Sequence, residues 1–293
     1  MMKKRNLLSK IRREFPNLKW ERALHNLQGD DHYVLMLDDK YVFRFPREAR
    51  YQEKLKYEAS LLKHLSKHLN LSIPDYAFVP KDRTFAGYSM IPGVQLSRKV
   101  FKNLPKKAKT NIARQLAEFL STLHKTPIKI ARKHHVRIGD IHRSYAALVK
   151  HAERYIKPRI SRHDYSLINE FLEEFHRFKK YPRKCLAHCD LYLHHLLLNP
   201  RHKQLEGVID FSDMCIDDPA LDFSELWFYG RGFVELVYKN YNGPKDKEFL
   251  RRSILYCKRV PVFMMTFPFV GLGSSFALGR NLFREIYAKG FFK

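Results

Sequence analysis

What this chain has little of narrows it first. Its 293 residues include only four cysteines, Cys185, Cys189, Cys215 and Cys257. None forms a C-x-x-C pair, and a chain this long needs no disulfide framework. A reduced, cytoplasmic compartment fits that usage. Cys189 sits next to Asp190, where its H-C-D context reads as a small packing residue and not as a nucleophile. Acidic residues are also scarce: 30 Asp and Glu against 55 Lys and Arg, a formal net charge of +25. Such an excess raises the local concentration of anions, nucleotides among them. No compact basic run with interleaved aromatics accompanies it, so nucleic acid is not an expected partner. Long apolar runs are missing as well. The longest charge-free run, residues 260–279, is broken by Pro261, Pro268, Gly271, Gly273 and Gly279. It reads as buried helix and loop, and a membrane is not an expected partner. The first fifteen residues, MMKKRNLLSKIRREF, are basic but have no apolar stretch of the kind a secretory signal carries. No internal repeat or low-complexity tract is present.

What the chain does have is length for two domains and 45% hydrophobic residues, enough for a sizeable core. The first nineteen residues read as a basic amphipathic helix ending in a turn at Pro16. Residues 33–37 and 41–45 read as the strands of a hairpin joined by Asp38-Asp39-Lys40 and stopped by Pro46. Strand alternation places Arg44 on the face opposite Phe43 and Phe45. A helix over about 49–68 follows, with Tyr51, Leu55, Glu58, Leu62 and Leu65 on one face. Glu58 there either pairs with a cation, for which Arg44 is the natural candidate, or lies solvated at the edge of the stripe. Phe78 and residues 85–90 suggest two more strands. Ile91-Pro92-Gly93 then breaks the pattern and marks a boundary. Beyond Pro105 the chain reads as helical, with Ile112, Leu116, Phe119, Leu120 and Leu123 at a 3.6-residue period.

One later stretch carries chemistry. Residues 186–223 read LAHCDLYLHHLLLNPRHKQLEGVIDFSDMCIDDPALDF. His188 and Asp190 form an H-x-D pattern, and His195 follows five residues after Asp190. Two short strands, 196–198 and 205–209, turn at Asn199-Pro200 and bring the open ends of a hairpin together, with Asp210 at one end. That gives one carboxylate able to orient a hydroxyl, and a His–carboxylate pair able to hold a metal. Asp218-Pro219 then starts a helix, with Asp218 as the N-cap. Phosphoryl transfer needs little more: a base for the attacking hydroxyl, a metal on the phosphates and a cation to hold them in line.

On these residues the chain resembles the aminoglycoside-phosphotransferase family. The likeness rests on HCDLYLHHLLLN, GVIDFSDMCIDDPALDF, KYVFRFPR, and FAGYSMIPGVQL followed by the helix that starts in NLPKKA. It implies an α+β, two-lobed protein-kinase-like fold. The N-terminal lobe, residues 1–92, would be an antiparallel sheet plus one helix that binds nucleotide. The C-terminal lobe, 93–293, would be mainly helical, with the catalytic hairpin and the substrate site, and the nucleotide would lie in the cleft between them. The resemblance also implies roles. Asp190 resembles the catalytic base, and Asp210 the metal ligand opening a D-F-G-like motif. Glu58 resembles the helix glutamate that pairs with the phosphate-binding lysine. Ser89 and Ile91 resemble the linker positions whose backbone pairs with the nucleotide base. Asp213, Asp218 and Asp222 match acidic positions after the metal ligand, the last two read mainly as capping and loop-bracing. Gly29 is a weak trace of a phosphate loop.

Two departures stand out. His195 occupies the place where kinase-like enzymes usually have Asn; magnesium prefers oxygen ligands, yet the 2''-aminoglycoside phosphotransferase branch resembles this chain there. The His is therefore assigned with Asp210 to the metal. Arg44 stands where Lys is usual, a swap that keeps the charge but not the shape; Arg47, beyond Pro46, is the less favoured alternative. The implied activity is transfer of a phosphate from ATP or GTP, with Mg2+, to a hydroxyl of a small molecule. A nucleotide-binding pseudokinase is the alternative. A protein kinase fits less well, because the interval from Asp210 to Asp218-Pro219 is too short for a long activation loop. A net charge of +25 suits a polycationic substrate poorly unless Asp217, Glu225 and Glu235 make a local acidic patch.

Overall fold

The computed structural model describes residues 4–26, 31–178 and 184–293. The chain divides into two compact units: residues 1–94 with 197–212, and residues 95–196 with 213–293.

The first unit is built on a four-stranded antiparallel sheet in sequence order. Its strands are β1 (Ala23–Asn26), β2 (His32–Leu37), β3 (Tyr41–Pro46) and β4 (Ala86–Ser89). Asp38 and Asp39 both take positive φ at the β2–β3 turn, as the tight hairpin requires. The alternation of β3 is as expected. Phe43 and Phe45 face Leu35, Leu37 and Phe85, and the apolar side of helix α1 (Lys4–Glu14), Leu7 and Ile11, closes that core. Phe45 stacks on Phe85 with centroids 4.5 Å apart. Arg44 is left on the other face, beside its partner Val34 and toward helix α2 (Ala49–Leu65). Phe78 makes a single bridge to Gly87 and not a strand.

The hairpin expected around residue 200 is present, as neighbouring strands Leu196–Asn199 and Gln204–Val208. Gly207 is where it meets the rest of the first unit. Val208 N donates to Ser72 O at 2.9 Å, and Ser72 N to Glu206 O at 3.1 Å. A Cβ at 207 would lie 2.6 Å from Ser72 O and 2.7 Å from Ile91 Cγ2. Gly207→Ala is therefore expected to lower stability by about 1–3 kcal/mol through overpacking, read as a drop in the urea midpoint at unchanged slope.

The second unit is mainly helical, with long helices Lys106–Lys125, Arg162–Arg177 and Phe249–Thr266. The expected stripe of the first of these is fully buried: Ile112, Leu116, Phe119, Leu120 and Leu123 are all solvent-free. A two-stranded antiparallel ribbon, Cys185–Ala187 with Cys215–Asp217, leads into the H-x-D segment. Asp218 caps as expected, accepting from Ala220 N at 3.0 Å. The helix it opens is 3-10, Pro219–Phe223, not α. Asp218 also accepts from Arg252 Nε at 2.6 Å and from the Tyr256 hydroxyl at 2.9 Å, a buried ion pair that ties the loop to the helix Phe249–Thr266. Residues 260–279 are helix and loop, but not buried throughout: Val270, Leu272 and Leu278 are exposed. A charge-free run need not be core, because folded surfaces retain much apolar area. Among the described residues no helix is long and apolar enough to cross a membrane.

Candidate functional site

Two groups of ionisable side chains are assembled, one in each unit. In the first, Arg44 is the hub. Its Nη1 donates to Glu58 Oε1 at 2.8 Å and to the Tyr76 hydroxyl at 3.0 Å. Tyr76 in turn donates to Glu58 Oε1 at 2.8 Å. Nη2 lies 3.2 Å from His32 Nδ1 and 3.3 Å from Asp210 Oδ1. Glu58 is thus buried and paired, and the solvated alternative is excluded. Burial works against the Arg44 charge. The carboxylate of Glu58, then Tyr76 and Asp210, more than offset it, so the guanidinium is held above its ordinary value. Arg44 and Asp210, far apart in sequence, meet because Asp210 follows the hairpin strand Gln204–Val208 in the same unit. Asp210 has φ +64° and accepts from the Ser212 hydroxyl at 2.9 Å. A left-handed aspartate costs about 1–3 kcal/mol and persists where its neighbours over-determine it, often at functional sites.

His32 was not legible as a site residue. Its only sequence signal is parity: two residues before Val34, it falls on the Arg44 face of the sheet. Burial, then the Arg44 charge, pull its imidazole down to about 3, so it is neutral. Ser89 ends β4, exposed and opposite Tyr41, and Ile91 is buried against Gly207. Gly29 lies outside the described residues.

In the second unit the H-x-D segment is held from beneath by Asp222, which is solvent-free. Asp222 accepts from His188 N and Cys189 N, both at 2.8 Å, and contacts His124 Nε2 at 2.9 Å. His124 Nδ1 lies 2.7 Å from the Tyr241 hydroxyl. Burial alone would push the Asp222 carboxyl up; His124, then His188, pull it below the usual range. The loop-bracing role expected of Asp222 is what the geometry shows. His124 was missed, although a histidine four residues after Leu120 on a buried stripe needs a partner. Cys189 takes φ +66°. Its thiol is raised well above the usual range, first by Cys215 and then by burial, which makes it a poor nucleophile.

Above this brace, the Asp190 side chain is 47% exposed. The Asp190 carbonyl accepts from Tyr192 N at 2.8 Å and lies 2.7 Å from His195 Nδ1. A carbonyl only accepts, so Nδ1 donates; in a neutral imidazole held this way the lone pair is on Nε2, the form in which histidine ligates a metal. Its chemistry fits the metal role expected of it. Asp210 has the carboxylate oxygens that magnesium would prefer. Among the described residues no cluster of three or more His, Cys, Asp or Glu side chains is present. The structure places Arg44, Glu58 and Asp210 in one group and Asp190 with His195 in the other.

The local acidic patch that Asp217, Glu225 and Glu235 could have made does not form a surface. Asp217 and Glu225 are buried and only Glu235 is exposed. Asp217 ends the short strand Cys215–Asp217 and Glu225 starts a short 3-10 helix, and patterning over so few residues cannot separate an exposed acid from one turned inward. Glu225 is 7% exposed and its Oε2 has no hydrogen-bond partner among the described residues. Burial, then the nearby Asp190, push its carboxyl up to about 8, with Arg259 opposing. The folded value exceeds the unfolded one, so the folded state holds the extra proton, and stability is lost as pH rises between the two. Glu225→Gln is therefore expected to match the parent near pH 5. At pH 9 it should be more stable by an amount on the order of a few kcal/mol, read by chemical denaturation at both pH values.

Comparison with known proteins agrees with this architecture. The sequence model of the phosphotransferase enzyme family matches residues 22–245. The structure of APH(2'')-IIIa with GDP and kanamycin superposes with a TM-score of 0.88 at 24% identity, covering 98% of this chain and 100% of that one. The streptomycin–ATP complex of APH(2'')-IIa gives 0.71 at 19% identity, covering all of both chains. The macrolide 2'-phosphotransferase MphH of Brachybacterium faecium gives 0.71 at 20% identity, covering 97% of this chain and 98% of that one. The fold is the α+β, kinase-like fold of these enzymes, and the chain belongs to the phosphotransferase enzyme family.

Proposed function

We infer that the protein moves the terminal phosphate of ATP or GTP to a hydroxyl of a small molecule. The observation that carries this is the Arg44–Glu58–Asp210 group: a braced, charged guanidinium on a carboxylate of the D-F-G-like motif. Family membership supports it, as do the ligands held in similar structures, GDP with kanamycin and ATP with streptomycin.

Each part has a physical role. Asp190 orients the acceptor hydroxyl and takes its proton as the oxygen–phosphorus bond forms and the bond to the nucleotide diphosphate breaks. Arg44 holds the phosphates in line, its charge kept by Glu58. His195 and Asp210 would hold Mg2+, which when bound neutralises charge on the phosphates. The backbone at Ser89 and Ile91 pairs with the nucleotide base, which makes residues 1–92 the nucleotide-binding part and 93–293 the part for catalysis and acceptor. Arg44 in place of lysine is compatible with activity, because its second amino group is also held, by His32 and Asp210. Cytoplasmic placement is part of the proposal, supported by four unpaired thiols.

The test is a transfer screen with ATP and GTP in parallel, with and without Mg2+, against aminoglycosides, macrolides and other hydroxylated small molecules. Product is read by phosphorus NMR. Magnesium-dependent phosphorylation of at least one class is expected. No transfer to any acceptor, together with no magnesium-dependent thermal stabilisation by either nucleotide, would overturn the proposal.

A further inference from the structure

Arg44 needs help that a lysine would not. An ammonium is a compact charge with rotatable donors, whereas a guanidinium is a flat fork whose plane must be set before it can face a phosphate. Glu58 and Tyr76 fix one arm through Nη1. The other arm, Nη2, has Asp210 Oδ1 at 3.3 Å, but as the proposed metal ligand Asp210 is a partner the arm would share. The other hydrogen-bond contact of Nη2 among the described residues is His32 Nδ1 at 3.2 Å. A guanidinium has no acceptor, so His32 must accept, which puts the imidazole proton on Nε2. Nε2 is buried and has no hydrogen-bond partner among the described residues. A neutral histidine, 3% exposed, with one orphaned donor and a cation against its other nitrogen, is a poor choice for stability alone. Its contact with the fork is what it supplies.

We propose that His32 is a positioning residue for Arg44: its Nδ1 accepts from Nη2 and sets the plane in which the guanidinium meets the nucleotide phosphates. It is the companion of the arginine substitution, and it rests on the nucleotide reading given above.

The test measures binding of magnesium-ATP and magnesium-GTP by calorimetry, and of adenosine and guanosine by saturation-transfer NMR. The proteins are the parent, His32→Leu, His32→Asn, Arg44→Lys and the His32→Leu/Arg44→Lys double variant. His32→Leu should weaken triphosphate binding about tenfold, the size of one hydrogen bond to a charged group, and leave the nucleosides unchanged. His32→Asn, whose Oδ1 can stand in for Nδ1, should stay within about threefold of the parent. In the Arg44→Lys background the leucine change should cost under about twofold, because a lysine needs no plane set. Equal triphosphate affinity in His32→Leu and parent overturns the inference, as does parallel loss for triphosphate and nucleoside, which would mark a merely structural role. If the parent itself binds neither triphosphate, the nucleotide reading fails and takes this inference with it.

Discussion

Asp190→Ala is expected to lower nucleotide-dependent phosphate transfer about a thousandfold or more, with the thermal midpoint close to that of the parent. The two halves of that expectation come from different atoms. It is the Asp190 backbone carbonyl that holds the loop, through Tyr192 N and His195 Nδ1. The carboxylate is half-exposed, and its own contact to His195 is long, 3.5 Å from Oδ2 to Nδ1. Removing it therefore deletes a base and leaves those two backbone contacts in place. A transfer assay and a melting curve on the same sample check both halves. Parent-like transfer by the variant would remove Asp190 from the role of base.

Asp222→Ala should do the reverse and act through the fold. One solvent-free carboxylate satisfies His188 N, Cys189 N and His124 Nε2 together. Its loss strands two backbone donors and a histidine in the interior, and breaking a buried charged network of this kind costs about 3–5 kcal/mol. Transfer activity should fall too, because the backbone it braces leads directly into Asp190. The pH dependence has a definite sign. The Asp222 carboxyl is depressed in the folded state, chiefly by His124 against the cost of burial. Its contribution is then complete above the ordinary carboxylate value and is lost as pH falls through the folded one. The parent should lose stability in acid more steeply than Asp222→Ala, and Asp222→Asn, which keeps one acceptor, should fall between them. Urea titrations from pH 3 to pH 7 measure this, and equal slopes for parent and alanine variant would refute the account.

How much could be read beforehand depended on the range of the interaction. The β2–β3 hairpin, the buried stripe from Ile112 to Leu123, the Asp218 cap and the Arg44 face of β3 all follow from periods of 2 and 3.6 or from local turn chemistry. The Arg44–Glu58 pair was half legible, since a carboxylate on an apolar stripe asks for a cation. His124 beneath the H-x-D segment and His32 beside Arg44 were not, because their partners are far away in sequence or on a neighbouring strand. The acidic patch failed for the same reason: Asp217 and Glu225 are acids in sequence but interior groups in space.

The sequence by itself therefore determined the family likeness, the α+β architecture that the likeness implies and the candidate residues for chemistry, because spacing within a motif is a local property. Only the tertiary structure decided which of those groups are charged, braced or oriented. Arg44 keeps its charge because Glu58 is buried against it. Glu225 keeps its proton to higher pH because it is buried and lies near Asp190. Charge state and orientation depend on desolvation and on contacts between distant segments, and those exist only once the chain has folded.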